Sequence, residues 1–200
     1  MIQKYKVDKG PEGYLPPSAA QMGICLPDSG MALIEGGAIE EDAAMMHIAR
    51  KLLIAKNAVF FPGPLILWNW TADVAEKAKL VVEIVNLINA KIIPMPDYRP
   101  KYPKINPETE INPNHPNLTI WHNKIDVCVF IGVHCHYANV ALKIIRGGTD
   151  CYTITLCAEA GHEDAMASIS DVDSCKIKKL IDVIKQLKHD QAKSPLPGVY

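Results

Sequence analysis

The sequence predicts an α/β protein: a parallel, three-layer sheet of five or six strands with helices on both faces. Three observations carry that prediction. Short apolar runs rich in β-branched residues alternate with longer stretches of helical period along the chain. One run, Val127–Ile131 (V-C-V-F-I), is apolar at every position, as a strand covered on both faces must be. Gly132 then ends it, and a helical pattern follows, which is the first half of a parallel crossover.

Residues 1–37 come first, with Pro11, Pro16, Pro17 and Pro27 and no sustained period. Tyr14, Leu15, Met22, Ile24, Leu26, Met31, Leu33 and Ile34 make the stretch too apolar for an ordinary disordered tail. It reads as an extended arm, packed along its own domain or laid over a partner. Gly36-Gly37 opens a helix whose apolar face is Ile39, Ala43, Met46, Ala49 and Leu53. Glu40, Glu41 and Asp42 suit its first turn, where the helix dipole favours negative charge. Asn57–Phe61 is a strand that breaks at Pro62-Gly63-Pro64. A helix over Thr71–Ala90 follows, with Thr71 as N-cap and Ala78, Val81, Val82, Val85 and Ile88 turned inward. Lys91–Met95 is the next strand.

Pro94 to Pro116 is a proline-rich loop, kept extended and stiff by its prolines. Loops of such length usually carry function or bind something. Ile120 and Trp121 lead from it into the central strand. Beyond that strand, Val140, Ile144 and Ala141, Ile145 repeat at helical spacing, and Gly147-Gly148 stops the helix. Cys151–Leu156 is a strand, with a further short one near Met166–Ile169 inside the 157–173 loop. Ser174 caps the last helix, in which Ile177, Leu180, Ile181, Ile184 and Leu187 face in and five lysines face out. Residues 38–190 therefore make one domain and 191–200 a C-terminal tail.

Composition excludes several classes. A chain of 200 residues, 48% hydrophobic and 22% charged, suits one globular domain. A net charge of −1 leaves no basic excess for nucleic acid or for a membrane surface. No apolar run approaches the roughly 20 residues of a membrane span. The N-terminal M-I-Q-K-Y-K-V-D lacks the apolar core of a signal peptide, so a cytoplasmic protein is expected. The six cysteines contain no C-x-x-C pair and fit reduced, buried thiols better than a disulfide frame.

In open α/β sheets, ligands bind outside the carboxyl ends of the strands, beside helix N-termini that favour anions. Gly132-Val133-His134-Cys135-His136 is therefore the first place to expect a site. Pro62-Gly63-Pro64 closes a strand at the same edge, where Gly63 permits close backbone approach or simply forms a rigid turn. Gly132 stands alone where dinucleotide folds carry G-x-G-x-x-G. Glu159 follows a strand at the position of a ribose-binding acid, or is a solvated loop carboxylate. His134, Cys135 and His136 are the candidate metal ligands, but a structural zinc takes four ligands. The other histidines (His47, His115, His122, His162, His189) offer no second pair, so no metal is expected. Cys135 lacks a legible base, which favours a plain thiol over a nucleophile. Trp68, Trp70 and Trp121 flank loops, as partner anchors or as caps on the core. No Ser/His/Asp order, paired-carboxylate motif, thiamine motif or iron–sulfur cysteine pattern is present, so no catalytic residue is assigned.

Three stretches carry a family resemblance: A-R-K-L-L-I-A-K-N-A-V-F-F-P-G-P-L at 49–65; Ile125–Arg146, in which Asp126, the apolar strand, Ile131-Gly132, Tyr137, Asn139 and Leu142 fall in order; and Met166–Ser170 with Asp171 and the last helix. Over roughly 38–187 the chain resembles the carbon monoxide dehydrogenase β-subunit family, which includes the ε subunit of the archaeal carbon monoxide dehydrogenase/acetyl-CoA synthase (decarbonylase) complex. The resemblance implies a Rossmann-like fold, of the DHS-like kind that binds NAD or FAD in the middle domain of thiamine enzymes. It also implies a small accessory subunit, non-catalytic or cofactor-holding and without metal clusters. Such a subunit sits beside the large catalytic subunit of an anaerobic, ferredoxin-linked complex. Accessory subunits of 2-oxoacid:ferredoxin oxidoreductases and a stand-alone flavin or nucleotide-binding protein are the alternatives, and homo-oligomerisation is left open. On this reading FAD or another nucleotide would contact Pro62, Gly63, Pro64, Gly132, Val133, His134, Tyr137 and Asn139. The chain departs from the family's commonly basic turn at His134-Cys135-His136, and in its 1–37 arm and 94–116 loop.

Overall fold

The computed structural model describes residues 27–67, 71–95, 111, 115–158, 161, 162 and 164–193. Most of the N-terminal arm and of the 94–116 loop, the C-terminal end, Trp68, Trp70, Glu159 and Cys25 lie outside them. The strands are β1 (Met31–Ile34), β2 (Gly37–Glu40), β3 (Ala58–Pro62), β4 (Lys91–Ile92), β5 (Val127–Ile131), β6 (Tyr152–Leu156) and β7 (Ala167–Ile169). The helices are α1 (Glu41–Ile54), α2 (Pro64–Leu67), α3 (Ala72–Ile88), α4 (Pro116–Asn123), α5 (Cys135–Gly148) and α6 (Ser174–Lys193).

The strands form one mixed sheet in the order β2-β1-β7-β6-β5-β3-β4. Five of them, β4-β3-β5-β6-β7, run parallel. The expected five or six strands are seven, because a β1–β2 hairpin adds antiparallel to β7. Residues 31–37, read from sequence as arm, thus belong to the sheet. Gly37–Glu40 is a strand rather than the opening of a helix. Gly36 turns the hairpin at φ +79°, beside Glu35 at φ +50°. Four residues per strand are too few to show a period, which hides the hairpin from sequence reading.

Alternation along the strands builds two cores. Phe60, Val129 and Ile154 face α1, α3 and α6. Phe61, Cys128 and Phe130 face the α5 layer with Leu142 and Ile145. The Phe61 and Phe130 rings lie 5.2 Å apart. All residues of β3, β5 and β6 are buried, as strands covered on both faces require. Helix phase was harder to read than strand identity. In α1 the buried set is Ala44, Met45, Ile48, Ala49 and Leu52; of the expected Ile39, Ala43, Met46, Ala49 and Leu53 it includes Ala49, while Ile39 belongs to β2 and Leu53 is partly buried against the core. Apolar residues stand on both sides of it, so the period alone cannot choose. Val82 of α3 and Val140 of α5 likewise face out.

Local chemistry ends the elements. Thr71 caps α3 by accepting from the Val74 N–H. Asp173, rather than Ser174, caps α6 through the Lys176 N–H at 2.8 Å, while the Ser174 hydroxyl donates to Asp73. The lysines of α6 reach its neighbours: Lys176 to Glu41, Lys179 to Asp42, Lys178 to Glu76 and Lys185 to Glu83. Helix α4, which sequence reading treats as a lead-in, starts on Pro116 and ends with Lys124 in the left-handed region.

Candidate functional site

Numbered among themselves, the parallel strands have the doubly wound order 2-1-3-4-5. The chain reverses its winding between β3 and β5, so the switch point lies at their carboxyl ends. Pro62-Gly63-Pro64 and Ile131-Gly132-Val133 meet there, as the sequence expectation requires. Their contact is intimate. The Gly63 N–H donates to Ile131 O at 2.9 Å, and the Leu65 N–H donates to Gly132 O at 3.0 Å. A Cβ on Gly63 would stand 2.5 Å from Gly132 O, and one on Gly132 would stand 2.3 Å from Ile66 Cγ1. Both glycines are therefore accounted for by the packing of one loop on the other.

On the α3/α6 side of this junction lies a cavity of about 190 Å³, lined by Ile66, Lys77, Ile131, Gly132, Leu156 and Ile177 among others. It is mostly apolar, and smaller than the roughly 300–1,000 Å³ usual for small-molecule sites. Its cation, Lys77, pairs with Asp73 at 2.9 Å. The Lys77 hydrogen bond is the main reason the Asp73 carboxyl sits below the usual range. A second apolar cavity of about 300 Å³ lies on the other face, against Met95, Ile111, Pro116, His136, Tyr137 and Val140.

The remaining expected contacts separate. Val133 is buried in the α5-side core, and His134 is the exposed residue before α5. Tyr137 packs at the second cavity. Asn139 turns to the β6–β7 loop, where its Oδ1 lies 2.7 Å from His162 Nδ1. Of the three candidate metal ligands, His134 and His136 stack on each other in exposed positions, rings 6.0 Å apart. Cys135 instead joins Cys157 and His162, with one ligand atom from each lying within 4.8 Å of the others. Sequence reading missed this grouping. Its one available signal was that Cys157 directly follows a strand and so sits at the sheet edge where α5 begins.

Asp126, the aspartate before the central strand, has a structural role. Its carboxylate accepts from the Lys56 and Asn57 N–H groups at 2.7 and 2.9 Å and ties the start of β3 to β5. In the core, burial and a hydrogen bond with Cys151 push the Cys128 thiol well above its ordinary pKa.

Fold and edge together define a doubly wound α/β protein with an apolar switch-point crevice. The chain belongs to the CO dehydrogenase beta subunit/acetyl-CoA synthase epsilon subunit family, whose model matches residues 24–187. It is thus a subunit related to carbon monoxide dehydrogenase/acetyl-CoA synthase. A comparison with curated proteins finds no match. Among the described residues, no helix is long and apolar enough to cross a membrane.

Proposed function

We propose that the chain is an accessory subunit of an anaerobic, ferredoxin-linked complex of the carbon monoxide dehydrogenase/acetyl-CoA synthase type. In that role it docks on a large catalytic subunit through its α4–α5 layer. The family match over 24–187 is the observation that carries this reading. The surface is consistent with it: Trp121 and Val140 are each 56% exposed and Leu118 46%. Leu118 and Trp121 share one face of α4, and exposed tryptophan is a typical interface anchor. Purification of the native protein tests the reading. Co-elution with a larger polypeptide is expected; elution alone at monomer size would remove it.

A second reading is favoured by the switch point. On it, the domain is a Rossmann-like, DHS-like nucleotide fold that holds FAD or another nucleotide at the β3–β5 edge, where such sheets bind ligands. Gly63 and Gly132 then shape the crevice instead of touching phosphate. Titration of the purified chain with FAD, NAD and CoA decides it: a colourless protein that binds none of the three is not a nucleotide carrier.

A further inference from the structure

We propose that Cys135, Cys157 and His162 form a zinc-class metal site at the carboxyl edge of the sheet, with the fourth position left to water. Two thiolates and an imidazole are a donor set that zinc accepts in tetrahedral geometry. Tetrahedral zinc with Zn–S about 2.3 Å and Zn–N about 2.0–2.1 Å holds its ligand atoms roughly 3.5–3.8 Å apart. The three atoms already lie within 4.8 Å of one another, so closure shortens each separation by no more than about 1.3 Å.

The surroundings hold each ligand in place. Cys135 is the first residue of the 14-residue α5, where the helix dipole favours a thiolate. Cys157 is fixed by its own backbone, which donates to Ile169 O and accepts from the Val172 N–H. His162, also buried, donates its N–H to Ser168 Oγ at 2.8 Å. The ring's Nδ1 meets Asn139 Oδ1 at 2.7 Å, so on binding Nε2 would be the ligating nitrogen, with Asn139 as the orienting partner usual behind a ligating histidine. Two residues on, the buried Asp164 pairs with Arg146 and Lys143 and clamps the same loop to α5. The charges also balance. Two thiols lose their protons to solvent on binding, and two thiolates neutralise a divalent cation where burial makes net charge costly.

Titrating the reduced full-length chain with Co²⁺, and then displacing it with Zn²⁺, tests the site. One equivalent of cobalt should give a thiolate charge-transfer band and tetrahedral visible bands, with release of two protons. C157S and H162Q should abolish the tetrahedral spectrum, and C175S, which alters an exposed cysteine on α6, should retain it. Asn139→Ala should keep the spectrum but weaken Zn²⁺ binding by about 10–100-fold, as loss of an orienting partner does. A spectrum without thiolate bands, or one that survives both C157S and H162Q, would overturn the proposal. So would an N139A variant that binds Zn²⁺ as tightly as wild type.

Discussion

Replacing Gly132 by alanine tests whether the switch-point glycines serve packing. Gly132 sits at φ +64°, and its new Cβ would stand 2.3 Å from Ile66 Cγ1 and 3.0 Å from Ile66 Cβ. A left-handed conformation costs a residue with Cβ about 1–2 kcal/mol. Overpacking a closed junction adds about 1–3 kcal/mol. Together the expected loss is about 2–5 kcal/mol, which for a chain of this length is roughly a 4–20 °C fall in Tm. Ile66→Ala removes the atom in closest conflict at its own cost of about 2–5 kcal/mol. Combined with Gly132→Ala, it should destabilise less than the sum of the two by about 1 kcal/mol or more. Gly63→Ala offers a control. Its Cβ would meet Gly132 O and Val133 Cα, which are backbone atoms that no side-chain deletion moves. Urea denaturation of the four variants and the wild type supplies all of these values. A Gly132→Ala protein within about 0.5 kcal/mol of wild type would refute the packing account. Strict additivity with Ile66→Ala would refute the named clash.

Asp126→Ala should cost about 1–3 kcal/mol, because it strands the Lys56 and Asn57 N–H groups that meet its carboxylate; denaturant midpoints measure it. His47 gives a pH signature. Burial, and next the Lys51 charge, lower its pKa, while its Nε2 lies 2.9 Å from the Tyr152 hydroxyl, a group kept protonated up to about 12 chiefly by burial. The unfolded chain then takes up the proton first, so stability held above the ordinary histidine value drains away as pH falls towards the folded-state pKa. The loss of Tm between about pH 8 and about pH 5 should be smaller in His47→Gln than in wild type. Trp121→Glu should leave the fold intact and weaken capture of the catalytic subunit by about 2 kcal/mol or more, roughly thirtyfold in Kd by pull-down titration.

The sequence by itself determined the α/β class, the buried central strand, most of the other elements and the glycine turns at the sheet edge. These features depend on near neighbours. A five-residue apolar run such as Val127–Ile131, ended by Gly132, favours a strand covered on both faces, and Thr71 before an apolar helical stripe favours a cap. Only the tertiary structure decided what local pattern leaves degenerate or never encodes. Which of two apolar stripes on α1 turns inward depends on where the sheet lies. That Met31–Ile34 pairs with a strand more than a hundred residues later depends on β7 leaving an open edge. The pairing of β5 with β6, and of β6 with β7, brings Cys157 and His162 to Cys135 while the adjacent His134 and His136 point away. Neighbours in a helical turn diverge, and residues distant in sequence converge only when strand order sets their ends side by side.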